Sequence, residues 1–269
     1  MPKIHPTAIV DSMAELADDV EVGAFAVIRG PVTIGAGTVV HDQSHIKGPT
    51  TIGQRCKIGP MAFLGLDPQH SHYNGAPTRL IIGDDCIFRE MSNIHRAYLN
   101  GPTDATRIGD RCFFMSSSHA GHDSQVGNDV IISSAAMLAG HCVVGDRVFM
   151  GGGTLIHQFC RIGRLAILAG NEGISRDVPP FSAVRYGGLK AYNAIGCRRA
   201  GLTQSAIHAI RAAFYCLHHN RNMANGIKAI RDTVPMVPEI VEMLEFIAAT
   251  KRGIHPSVHF SNRGAQDDE

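Results

Sequence analysis

Val126-Gly-Asn-Asp-Val-Ile-Ile132-Ser-Ser-Ala-Ala-Met-Leu138-Ala-Gly-His-Cys-Val-Val144-Gly-Asp-Arg-Val-Phe-Met150 places an apolar residue at every sixth position. An α-helix cannot use this period, because positions six apart on a 3.6-residue turn point in very different directions. Short strands joined by tight corners can. Outward from this stretch the phase is kept by Ile108, Phe114 and Ala120 on one side and by Ile156, Ile162, Leu168 and Ile174 on the other. Farther back it runs without a missed step from Ile4 through Val10, Leu16, Val22, Ile28, Ile34, Val40, Ile46, Ile52 and Ile58 to Leu64, and it returns at Ile82, Phe88 and Ile94. Four residues after many of these positions stands a smaller residue, such as Ala14, Cys56, Cys112, Ala136 or Ala166. Gly often follows the aliphatic one, as at Gly35, Gly53, Gly109, Gly127 and Gly163. Large residues fill an interior, small ones a narrow corner, and Gly tolerates the backbone of a turn. The pattern specifies a parallel β-helix.

A chain of 269 residues with 44% apolar composition can bury one elongated repeat core and a smaller cap. The formal charge of +1 gives no general basic surface for nucleic acid. No apolar run reaches the roughly 18 residues of a membrane span, and the N-terminus reads as the first repeat with no signal-peptide pattern, so a cytosolic protein is expected. The seven Cys lack CxxC spacing, and five of them occupy the small-residue slot, so they read as buried hydrophobes.

Three hexapeptides make one triangular coil of about 18 residues, and such coils bury their core only by stacking. Residues 1–190 are thus expected to form the β-helix, with excursions at 66–80 and 98–107 where the phase breaks. Interruptions of a strict solenoid are disproportionately functional. Beyond Val178-Pro179-Pro180 helical spacing takes over, and 191–252 read as an α-helical domain. Thr203 can cap a helix from Gln204 to about His219. A second is expected from Met223 to Thr233, and a third from Pro238 to about Lys251. The polar segment 253–269 is expected to be a mobile tail.

The chemistry-bearing residues cluster in the last coils: His119, His122 and Asp123, then His141, then His157 and Gln158. His122 and His141 differ by 19 positions and His141 and Gln158 by 17, close to one coil each. They are therefore expected to form one column along an edge, at the strand spacing of about 4.8 Å. Such a column can serve as a general base with its orienting partners. It can also hold zinc, although the His119-x-x-His122 spacing differs from the four-residue separation common in β-helical zinc sites.

Seven segments stand in order: His5-Pro6-Thr7-Ala8-Ile9-Val10, Gly75-Ala76-Pro77-Thr78-Arg79, Ile94-His95-Arg96, His119-Ala120-Gly121-His122-Asp123, Leu138-Ala139-Gly140-His141, His157-Gln158-Phe159-Cys160 and Asp177-Val178-Pro179-Pro180. The set resembles the acyl-carrier-protein-dependent UDP-N-acetylglucosamine O-acyltransferases that begin lipid A synthesis, and the likeness continues from Asn193 to about Gly253. It implies a left-handed parallel β-helix followed by an α-helical domain, assembled as a homotrimer with active sites in clefts between neighbours. The implied donor is an acyl thioester on acyl carrier protein and the implied acceptor a UDP-amino-sugar, with neither a further cofactor nor a metal. His122 is implied as the general base, with Asp123 beside it, and the Gly140 N–H as the donor to the oxyanion. Gln69, His70, His72, His119, His141, His157 and Gln158 would line the substrate cleft. Asn193, Arg198 and Arg199 would meet the nucleotide, and Gly170 would set the acyl length.

Two departures bear on the substrate. After Gln69 the family usually shows Asp-Leu-Lys, with the Asp reading the 3-hydroxyl of the acyl chain, whereas this chain has His70-Ser71-His72. Shortly after the Asn an acidic residue is usual, and here stands Asn193-Ala194-Ile195-Gly196. Sites built on such hydrogen bonds discriminate strongly. A changed acyl donor or sugar acceptor is the alternative expectation, ahead of a metal-dependent hydratase or a non-catalytic solenoid.

Overall fold

The computed structural model describes residues 1–98, 104–220 and 222–257. The six-residue period becomes strands of two to four residues, wound so that each pairs in parallel with the strand one coil later. Three flat faces result. The first carries the strands from Lys3–Ile4 to Ser182–Arg185, the second those from Ile9–Val10 to Gly173–Ile174, and the third those from Glu15–Leu16 to Arg161–Ile162. Register follows the period: Ile131 pairs with Phe149 and Ile132 with Met150, and the pairing repeats on the next coil with Ile167 and Leu168. The phase-keeping residues Ile28, Ile58, Leu64, Phe88, Phe114 and Leu138 are fully buried. Cys56, Cys86, Cys112, Cys142 and Cys160 are buried beside them as free thiols, as their small-residue slot requires.

The two excursions lie where the phase breaks, with narrower limits. The first gives way to strand at Arg79, and the second has returned to strand by Ala105. Residues 99–103 of that second excursion lie outside the described residues.

Past the last parallel pairing, an antiparallel hairpin of Ser182–Arg185 with Gly188–Tyr192 closes the first face. Four helices follow: α1 (Ala194–Arg199), α2 (Gln204–His219), α3 (Met223–Thr233) and α4 (Pro238–Ala248). Thr203 caps α2 by accepting the Ala206 N–H, and Pro238 occupies the first turn of α4, where its missing N–H costs nothing. α1 was not foreseen, being too short to show a period. α4 ends earlier than expected because the chain turns back to the solenoid: the Thr250 hydroxyl donates to Asp177 Oδ2, and Gly253 takes a left-handed φ of 77°. Arg161 fastens the third face to this cap. Its backbone N–H and its Nε each donate to Asp177 at 2.9 Å, and its Nη2 donates to the Phe246 carbonyl at 2.7 Å.

The expected loose tail is corrected in its first part. Ile254 bridges to Asp177 and Ser257 to Leu189, and Ile254 and His255 are buried. The rest of that segment, 258–269, lies outside the described residues. Among the described residues no helix is long and apolar enough to cross a membrane.

Candidate active site

The corner between the second and third faces carries His122, Asp123 and His141. Each coil turns there through a residue with left-handed φ: Asp123 at 62°, His141 at 61° and Phe159 at 64°. These three share one column, and the residues just before them, His122, Gly140 and Gln158, form the adjacent one. The expectation of a single column of His122, His141 and Gln158 is thereby corrected by one position. His122 and His141 instead meet edge to face, with ring centroids 5.1 Å apart at 88°, and His141 lies flat on Phe159 at 4.5 Å. Gly140 makes this possible. A Cβ there would lie 2.7 Å from both Cε1 and Nε2 of His122, so the imidazole occupies the space that any other residue would fill.

Asp123 is buried and accepts two hydrogen bonds on Oδ2, from His122 Nδ1 at 2.6 Å and from the Tyr98 N–H at 2.9 Å. Its own N–H donates to Thr106 Oγ1 at 2.8 Å, and His141 Nε2 stands 3.8 Å from Oδ2. The carboxylate thus holds the His122 proton on Nδ1 and leaves Nε2 with a lone pair. One ligand atom each from His122, Asp123 and His141 lies within 4.8 Å of the other two, a grouping that could also hold a metal ion.

The first excursion brings His70 to this pair. Its ring stacks on Tyr98 at 3.8 Å and meets His122 edge-on at 5.7 Å. Arg96, buried, anchors the loop by donating to Asp67 at 2.5 Å, to the Tyr73 hydroxyl at 2.6 Å and to the Gly48 carbonyl at 2.7 Å. The His72 N–H donates to His70 Nδ1 at 3.3 Å, but the His72 side chain is exposed and stands outside the cleft.

A cleft of about 450 Å³ runs past Gln69, His70, His119, His122, Gly140 and Gln158. His95 also lines it and was missed by sequence reasoning, as were Arg96 and Tyr98. The signal was obscured by the second excursion, which separates the paired Asn93 and His119 by 26 positions where a plain coil would give 18. His119 Nδ1 donates to the Asn93 carbonyl at 2.9 Å, and its ring meets His95 edge-on at 4.9 Å.

Burial lowers the proton affinity of His119 and His141 and pushes His95 down to about 4, which favours the neutral form of these three rings. For His95 the unfolded chain takes up a proton below its ordinary value of 6.5 while the folded chain does not. The stability tied to this difference is full above pH 6.5 and is lost as pH falls toward 4. His95→Gln should therefore show a shallower fall of Tm over that window than the parent protein. Equal slopes in thermal melts would exclude this account.

Other expected site residues lie apart. His157 is exposed, and its Nδ1 donates to the Gln158 carbonyl at 3.1 Å rather than into the cleft. Asn193 caps α1, accepting the Gly196 N–H at 2.9 Å and donating to the Leu165 carbonyl at 2.8 Å. Its amide is thus engaged in structure within a single chain. Arg198 and Arg199 are exposed in the last turn of α1, at the corner between the third and first faces, a full edge away from His122. Gly170 sits at the remaining corner, before the last second-face strand. Between it and His122 the second face turns outward His119, Met137, Leu155 and Gly173, and Met137 and Leu155 are largely exposed. A Cβ on Gly170 would meet only the Gly152 carbonyl closely, at 3.1 Å, and a Cβ on Gly173 would meet nothing within 4 Å. An apolar track therefore leads from His122 to Gly170.

Comparison with known proteins identifies the family. Residues 177–255 match the family model for domain 2 of UDP-N-acetylglucosamine O-acyltransferase, and residues 31–65 match that for bacterial transferase hexapeptide repeats. An acyl-[acyl-carrier-protein]–UDP-N-acetylglucosamine O-acyltransferase from Thermodesulfovibrio yellowstonii is 40% identical over 257 residues, covering 94% of this chain and 99% of that one. One from Syntrophobacter fumaroxidans is 40% identical over 256 residues with the same coverage. Among solved structures, LpxA from Bacteroides fragilis superposes with a TM-score of 0.89 at 29% identity, covering 93% of this chain and 99% of that one. LpxA from Acinetobacter baumannii gives 0.87 at 33%, covering 94% and 99%. With its left-handed parallel β-helix and its helical cap, this chain belongs to the acyl-[acyl-carrier-protein]–UDP-N-acetylglucosamine O-acyltransferase family.

Proposed function

We propose that the protein moves an acyl chain from acyl carrier protein to the 3-hydroxyl of UDP-N-acetylglucosamine in the cytoplasm, the first step of lipid A biosynthesis. The observation that carries the mechanism is the His122–Asp123 pair leaning over Gly140. His122 Nε2 takes the proton of the sugar hydroxyl as its oxygen attacks the thioester carbonyl, and Asp123 stabilises the imidazolium that forms. The Gly140 N–H accounts for the oxyanion: Gly140 is buried, and among the described residues nothing accepts that N–H. The thiolate of the carrier arm then leaves, taking the proton from His122. No cofactor beyond the carrier-bound thioester enters this scheme.

The homotrimer that the resemblance implies fits the same reading. If one nucleotide is to touch both the His122 corner and Arg198 and Arg199, the two sets must come from neighbouring copies. His157 and Gln158 would then line the boundary between copies. His70 favours a shifted donor preference as a second reading. Its Nδ1 accepts the His72 N–H, so the ring carries its proton on Nε2 and offers a donor where the family usually has a carboxylate acceptor.

One experiment tests these points together. The protein is incubated with 3-hydroxyacyl and unsubstituted acyl-carrier-protein thioesters and with UDP-N-acetylglucosamine or its 3-amino analogue. Products are identified by mass, and light scattering is run on the same sample. The expected result is acyl ester formation by a trimer, with discrimination for the hydroxylated donor well below about 10⁴. An active monomer would end the shared-site reading, and no product from any pair would end the proposed reaction.

Gly170→Met should shift the donor preference to shorter chains with little loss of maximal rate. Its side chain would fill the far end of the apolar track, where each methylene is worth about 0.8 kcal/mol. Equal loss on every chain length would instead make Gly170 a folding requirement.

A further inference from the structure

We propose that His122, Asp123 and His141 also form a transition-metal site, at which Zn²⁺ inhibits the protein. Two imidazoles and one carboxylate are the donor set that first-row divalent ions take. Here all three ligand atoms lie within 4.8 Å of one another on consecutive coils, locked by the His141 N–H donating to the His122 carbonyl at 2.9 Å. A second observation points to a ligand. Asp123 is only 6% exposed, yet its Oδ1 has no hydrogen-bond partner among the described residues, a costly state for a buried carboxylate oxygen.

The separations to the carboxylate's other oxygen are 2.6 Å from His122 Nδ1 to Oδ2 and 3.8 Å from His141 Nε2 to Oδ2, and Oδ1 remains as a further donor atom on the same group. Bonds of about 2.0–2.1 Å around a tetrahedral ion set its ligands about 3.4 Å apart, so the cluster closes on Zn²⁺ with side-chain shifts below about 1 Å. His122 lines the cleft, whereas Asp123 and His141 line a neighbouring cavity of about 610 Å³, from which water can supply the fourth ligand. The Tyr98 N–H stays on the carboxylate as an outer hydrogen bond that orients it.

Either nitrogen of His122 gives the same consequence. Zn²⁺ on Nε2 takes the lone pair that would accept the substrate proton, and Zn²⁺ on Nδ1 forces the ring proton onto Nε2. This inhibitory effect rests on His122 being the general base; the binding itself does not.

Full-length protein freed of metal by chelation is titrated with Zn²⁺ in equilibrium dialysis and with Co²⁺ in visible absorption. One tight ion per chain is expected, with a Co²⁺ spectrum of low coordination number, and a chelator should restore the acyl transfer that Zn²⁺ removes. Asp123→Asn and His141→Ala should each weaken Zn²⁺ binding at least about 10-fold. His5→Ala, at an exposed histidine of the first coil, should leave it unchanged. Unchanged affinity in both cluster variants would overturn the proposal. Should those variants unfold, NMR of labelled histidines in the parent protein decides the matter, and Zn²⁺ must then shift the ring signals of His122 and His141. Binding at the cluster without inhibition would refute the base assignment and leave the metal site standing.

Discussion

His122→Ala is expected to lower turnover by about 10²- to 10⁴-fold, the usual contribution of a positioned general base. The oligomer and its Tm should stay nearly unchanged. The His122 ring lies in the cleft over Gly140 and belongs to no part of the hydrophobic core, so its removal deletes little packing. Asp123 keeps the Tyr98 N–H, which limits the cost of leaving that carboxylate with one partner fewer. Substrate KM should move little, because the lost interaction acts mainly in the transition state. His141→Ala should hurt less, since His141 positions groups without being consumed in the proton transfer. Near-normal turnover by His122→Ala on any carrier-bound donor would mean that another group takes the proton.

Gly140→Ala should be nearly as damaging, for a reason that involves no loss of a functional group. The new methyl carbon would sit 2.7 Å from Cε1 and Nε2 of His122 and 3.2 Å from Nδ1, so the ring must swing away. A displacement near 1 Å at a reacting group costs about 10²-fold in rate. Gly140 has an ordinary negative φ, so alanine brings no backbone strain and the fold should tolerate it. The expected signature is a large fall in kcat in a protein that melts normally. A variant with parent-like kcat would show that the position of His122 over Gly140 is not the one used in catalysis.

The period-six pattern reaches the fold almost directly, because each phase-keeping residue such as Ile132 or Leu138 has one inward position on one coil. Corners are harder to read. A shift of one residue decides whether two side chains share a column or interleave, and His122 with His141 interleave because Gly140 leaves a space that only the coordinates reveal. Insertions hide more. The pairing of Asn93 with His119 is out of step with every plain coil, so His95 and Tyr98 carried no spacing signal. The caps of α2 and α4 were legible in Thr203 and Pro238, whereas Asn193 read as a ligand residue although a local N–H and a carbonyl satisfy its amide. Short polar side chains near a helix start serve either purpose, and spacing alone does not separate them.

The two ends of the solenoid are finished differently. At the beginning, among the described residues, the strands Lys3–Ile4, Ile9–Val10 and Glu15–Leu16 are paired on one side only, and Ile4, Ile9 and Met13 are exposed. At the other end the hairpin, the helices and the segment through Ser257 close the stack. In a stack stabilised by its nearest neighbours, opening starts where a neighbour is missing and each further coil makes it rarer. His122 stands behind five second-face strands counted from the open end, and Arg161, two coils farther on, is clamped by Asp177 and Phe246. Breathing of the first coils is therefore expected to die out before it reaches the His122 corner, and backbone amides near Ile9 should exchange with solvent on a clock independent of the one that times acyl transfer.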